Sequence, residues 1–177
     1  MPTTVLTRTI AVGDAGVLQT LRAMQRLVDQ AMDSPIVIQT ARALAVGDGV
    51  QRQAIVAARI RAWLARYWRY VDDPVTREHL EDATYLLTQF SQHRYLAGDC
   101  DEVAILAATL GKAVGLDATF TVLAFDTGSG SGNPGQSARY AHVYTTLLTA
   151  QGQRVNIDIT RPSGPVAPVV RSLEVDA

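Results

Sequence analysis

Apolar residues recur at helical spacing through the first third of the chain. Val17, Leu18, Leu21, Met24, Leu27, Val28 and Ala31 fall on one face, which predicts a helix over 14–33 with Asp14 as its N-cap. Ser34-Pro35 supplies a cap and a first-turn proline for a short second helix, which Gly47-Asp48-Gly49 ends. Ile55, Val56, Ile60, Trp63, Leu64, Tyr67 and Trp68 predict a third helix over 51–71, with both tryptophans in the core, stopped by Asp72-Asp73-Pro74. Residues 75–97 carry the weakest pattern, with a short helix expected near Glu78 to Leu87. A break at Ala97-Gly98 precedes a helix that starts at Asp99 and ends near Gly111 or Gly115. The period then changes from 3.6 to 2. Strands are predicted over Ala118–Phe125, Tyr140–Leu148 and Arg154–Thr160. The Gly/Ser-rich stretch from Asp126 to Arg139 is expected as a loop, and Pro162, Pro165 and Pro168 make the segment from Arg161 extended.

Composition narrows the function classes. Of 177 residues 47% are hydrophobic and 19% charged, so the chain can bury a core and is not a disordered segment. Sixteen Lys and Arg against 17 Asp and Glu leave a net charge of −1, which gives little attraction to phosphates and argues against a nucleic-acid partner. The basic residues between Arg52 and Arg69 read as the solvated side of an amphipathic helix. The one cysteine, Cys100, cannot form an intrachain disulfide. Met1 to Asp14 has neither a basic n-region nor an apolar run, and Val103 to Leu110 is too short to span a bilayer. The expectation is cytoplasmic synthesis without a signal peptide and no membrane partner. The glycine loop lacks the Gly-Lys-Ser/Thr ending of a phosphate loop. His79, His93 and His142 are scattered, with no HExxH and no second cysteine, so neither a metal set nor a cofactor is expected.

Three residues form one constellation. Asp99 followed by Glu102 has the spacing of a capping box, which makes Cys100 the first helical residue. A sulfur there lies beside unpaired N–H groups at the positive end of the helix dipole, a position that favours a thiolate. The dipole contributes about 0.3–1 kcal/mol, up to about 2, against about 1.4 kcal/mol for one pKa unit, while Asp99, Asp101 and Glu102 oppose the thiolate. A histidine partner is therefore needed. His142 and Asp158 lie on alternating strands, His142 with Tyr144 and Thr146, Asp158 with Asn156 and Thr160. A connection over Thr149–Gln153 pairs Leu148 with Arg154 and sets Asp158 opposite Tyr144, diagonal to His142 and within side-chain reach. Nucleophile, base and orienting carboxylate then converge. The glycine loop enters the His142 strand, where it can cover a bound chain or stand as a surface insertion.

At these residues the chain resembles the transglutaminase-like superfamily, small bacterial or phage-borne type, with a papain-like fold. The resemblance rests on Gly98-Asp99-Cys100-Asp101-Glu102 with Ala104, Leu106, Ala107, Leu110, Gly115 and Leu116. Ala141-His142-Val143-Tyr144, Asp158-Ile159-Thr160 and Tyr70-Val71-Asp72-Asp73-Pro74 add to it. It implies an α+β fold in which a Cys-bearing helix packs on an antiparallel sheet behind N-terminal helices. It divides the chain into an N-terminal helical extension (1–50), a catalytic core (51–161) and a Pro-rich tail (162–177). It implies a triad of Cys100 as nucleophile, His142 as base and then acid, and Asp158 as orienter, acting through a thioester on a peptide or protein amide, with no cofactor. Tyr70 is the side-chain oxyanion candidate and Gln89 the reserve. The calcium-site acidic cluster of the animal crosslinking enzymes is not seen, so a peptidase or amide hydrolase is expected ahead of a crosslinking acyl transferase. The reading from another class is a non-catalytic interaction module, a phage or prophage structural component docked through its helical N-terminal region and its tail onto a virion partner.

Overall fold

A computed structural model describes residues 3–8, 14–46, 52–73, 78–126, 138–160 and 169–177. The architecture is mixed α+β. In chain order the elements are β1 (Val5–Arg8), α1 (Asp14–Ala31), α2 (Pro35–Leu44), α3 (Gln53–Tyr67), β2 (Trp68–Tyr70), β3 (Glu78–Glu81), α4 (Ala83–His93), β4 (Leu96–Gly98), α5 (Cys100–Lys112), β5 (Asp117–Asp126), β6 (Ala138–Leu148), β7 (Arg154–Ile157) and β8 (Val169–Asp176).

The helix α5 is the hub. Every residue from Glu102 to Gly111 is buried, because its sequence is apolar or small on all sides. Helices α1 to α4 pack on it, and strands β5 and β6 pack against it from the sheet. Ile105, Leu106 and Leu110 are fully buried, each contributing roughly 1.5–3 kcal/mol. Two contacts fix its seat on β6. The Thr145 hydroxyl donates to the Ala104 carbonyl at 2.7 Å. Gly111 has no room for a side chain, since a Cβ there would lie 2.4 Å from Leu147 Cδ2.

The sheet has the order β7-β6-β5-β8, all neighbours antiparallel. The β6–β7 register matches the sequence expectation: Leu148 faces Arg154, Leu147 faces Val155, Thr146 faces Asn156 and Thr145 faces Ile157. In β8, Leu173 and Val175 pack on the core while Arg171, Glu174 and Asp176 stay exposed. Residues 169–176 of the tail thus form a strand of the sheet, paired with β5.

Elsewhere the elements differ from their expected bounds. The third helix stops at Tyr67 and not near Val71. Trp68 to Tyr70 leave it as β2, pairing in parallel with β4, and Trp68 Nε1 donates to the Gly98 carbonyl at 3.2 Å. An aromatic run suits a strand better than a helix end. Residues 78–87, read as one helix, split into β3 and the start of α4. Asp82 is the reason: it caps α4 by accepting from the Tyr85 amide at 2.7 Å. β3 pairs with β1, so the N-terminal segment also contributes a strand. Asp14 stands inside the first turn of α1. Gly47-Asp48-Gly49 and most of the glycine loop, residues 127–137, lie outside the described residues, as does 161–168.

Candidate active site

Local sequence places each side chain. Gly98 ends β4 with φ +151°, a conformation that disfavours a side chain, and its missing Cβ leaves space for Glu102. Asp99 then caps α5: its Oδ1 accepts from the Asp101 amide at 2.8 Å, while Glu102 Oε2 accepts from the Asp99 amide at 2.9 Å. This is the expected capping box, and Cys100 is the first helical residue.

On the sheet, His142 Nε2 and Asp158 Oδ1 are 2.9 Å apart. Asp158 follows the last ladder residue of β7, Ile157, as the register required. His142 is 8% and Asp158 20% exposed. The pair is therefore shielded and can hold the imidazole with Nε2–H toward the carboxylate, which leaves Nδ1 as the proton acceptor. Beyond Ile157, β6 runs on without a β7 partner. There the Val143 amide lies near the Cys100 sulfur and favours its thiolate. The sulfur thus rests against the main chain one residue from His142.

The structure brings Cys100 to the His142 strand but does not join the two side chains by a hydrogen bond among the described residues. The thiol donates instead to Asp101 Oδ1 at 3.6 Å. Burial pushes the thiol far above its ordinary range, the charges of Asp101 and Asp99 add to this, and the Val143 amide opposes it. A helix start with three acidic neighbours therefore does not make a thiolate by itself.

Tyr70 stands beside this site. Parallel pairing sets Tyr70 against Gly98, and the Val71 amide donates to the Gly98 carbonyl at 3.0 Å. As a residue Tyr70 is 54% exposed. Its phenol is nevertheless raised above its ordinary range, first by burial about the hydroxyl, then by a hydrogen bond to Asp72 and the charge of Cys100. It remains a neutral donor at neutral pH. Gln89 sits half-buried on α4, and no hydrogen bond joins it to Cys100 among the described residues.

Of the other histidines, His79 is structural. It bridges Thr7 Oγ1 at 3.0 Å and Glu81 Oε1 at 3.2 Å on the β1–β3 ribbon. Sequence reasoning missed the acidic group behind the cysteine. Asp73, Asp99 and Glu102 gather so that one carboxylate oxygen of each lies within 4.8 Å of the others. Glu102 is pushed up to about 9, first by burial and then by the charge of Asp99. Burial also raises Asp73, with the His79 amide opposing it. The signal was in the capping box: a Glu at that position on a helix apolar all round has to be buried. No protein-family model, curated protein or solved structure matches this chain.

Proposed function

We propose that the protein is a cysteine-dependent amide hydrolase or peptidase of transglutaminase-like, papain-like type, working through Cys100, His142 and Asp158. The observation that carries this reading is the shielded His142–Asp158 pair at 2.9 Å, on the strand that runs past the Cys100 end of α5. His142 Nδ1 takes the thiol proton as the substrate carbonyl arrives, and sulfur bonds to the carbonyl carbon. The developing oxyanion is met by the Cys100 amide at the helix start and by the Tyr70 hydroxyl, which turns from Asp72 to donate. His142 returns the proton to the leaving amine as the C–N bond breaks, leaving a thioester. Water then gives its proton to His142 and its oxygen to the acyl carbon. The S–C bond breaks and the proton returns to sulfur. An amine in place of water makes the same chemistry a crosslinking transfer.

Incubation with casein and a fluorescent primary amine separates these outcomes. New peptide termini without label indicate hydrolysis, and label in the casein indicates transfer. The Cys100→Ala variant abolishes either. A second reading, a non-catalytic interaction module such as a phage structural component, draws support from the thiol held protonated by burial and by Asp101 and Asp99. Under that reading wild type and Cys100→Ala are equally silent, and the thiol alkylates no faster than free cysteine at neutral pH.

A further inference from the structure

Behind the candidate nucleophile the fold has built a compact oxygen-lined site. Asp73 lies three residues past β2, Asp99 caps α5 and Glu102 lies in the first turn of α5. One carboxylate oxygen from each lies within 4.8 Å of the others. Oxygens that ligate one calcium ion at about 2.3–2.6 Å can be up to about 5 Å apart, so the spacing is of the right size for a common centre.

Acidic clusters at surfaces are common and mean little. Here a separate fact points to a ligand. Glu102 is 2% exposed, and its Oε1 is fully buried with no hydrogen-bond partner. Its Oε2 is already committed to the Asp99 amide at 2.9 Å, so Oε1 is the oxygen left to a ligand. An orphaned carboxylate oxygen in the interior costs about 1–3 kcal/mol or more. Asp73 is also aimed by the backbone, its Oδ2 accepting from the His79 amide at 2.6 Å. Carboxylate oxygens alone select a hard cation over zinc or copper.

We propose that Asp73, Asp99 and Glu102 bind one hard divalent cation, calcium by size, which ties the end of β2 to the start of α5. The site does not depend on catalysis: it would link these elements equally in an enzyme and in an interaction module. Water completes the coordination, since three carboxylates fall short of the six to eight oxygens calcium takes.

The test uses the full chain after dialysis against EDTA. In about 5 mM CaCl2 the wild-type Tm rises by at least about 2–4 °C over a NaCl control of equal ionic strength. Glu102→Gln and Asp73→Asn lose that rise, while Asp101→Asn, which leaves the three ligands in place, retains it. Terbium supplies a direct readout, with Trp68 and Tyr70 as nearby sensitisers whose excitation drives its emission. Calcium displaces it, and loss of a ligand weakens binding by more than the roughly tenfold that even an outer-shell partner is worth. No Tm rise in wild type overturns the site and leaves a proton on Glu102 as the neutralising charge. An equal rise in Glu102→Gln and Asp73→Asn overturns it too, as does a rise lost only in Asp101→Asn, which would place the ion at the thiol edge.

Discussion

The two halves of the candidate site are built on opposite electrostatic plans. On the strand side, His142 and Asp158 form a shielded pair of opposite character whose geometry follows from a four-residue ladder. On the helix side, Cys100 sits among Asp99, Asp101 and Glu102, with Asp73 close behind Glu102. One half pairs an imidazole with a carboxylate. The other holds its proton firmly, because burial and like charge disfavour the thiolate more than a helix start favours it. Activation of the sulfur, on the proposed function, is therefore a property of the assembled site. It is not a property of the helix terminus alone.

The largest effect should come from the strand side. His142→Ala is expected to lower turnover by about 10²–10⁴-fold, the usual worth of a positioned acid–base group. It should also slow alkylation of Cys100 at pH 7 more than Asp158→Ala does, because His142 supplies the proton acceptor and Asp158 only orients it. Equal alkylation rates in wild type and His142→Ala would show that the halves are uncoupled.

The next effect belongs to Glu102 and is read as stability in a chelating buffer. Its folded value of about 9 stands above the ordinary 4.5, so the folded state holds more protons than the unfolded across that window. The stabilisation is complete below pH 4.5 and is lost as pH rises toward about 9. Urea unfolding should show wild type losing more than about 1 kcal/mol between those limits, and Glu102→Gln losing less. Parallel profiles would remove Glu102 as the titrating group.

The smallest effect concerns Asp101. Asp101→Asn removes the charge beside the thiol and leaves only a weaker, neutral acceptor for its proton, and both the charge and the hydrogen bond raise the thiol. Alkylation at neutral pH should quicken by up to about tenfold, which corresponds to one pKa unit. A slower reaction would mean that Asp101 aids the sulfur.

What could be read from the sequence follows the range of the interactions. The capping box at Asp99 and Glu102 spans three residues, and the β6–β7 register depends on a five-residue connection; both are found as expected. The β1–β3 ribbon joins Val5 to Glu81 across most of α1 to α3, and nothing local announces it. β2 is hidden for a similar reason: Trp68 to Tyr70 continue a helical stripe, and only β4 shows that they pair as a strand. At the site, the strand partners were legible because alternation fixes a face. The acidic cluster was not, because Asp73 reaches Glu102 only through the β2–β4 pairing and the turn after it.

The position of β8 has a consequence for how the chain is made. Val122 in β5 pairs with Leu173 in β8, so that side of β5 stays an open edge until the ribosome has added about fifty more residues. At roughly 5–20 residues per second this interval lasts about 3–10 s. Through it, the hydrophobic strand holding Phe120 and Val122 presents unpaired amides and carbonyls, the arrangement most prone to join a neighbouring chain. Nascent chains stalled before Val169 should accordingly be cut by protease within β5, and those stalled after Ala177 has cleared the exit tunnel should resist. Completion of the sheet, and with it the final seating of α5 on β5 and β6, falls to the last strand described.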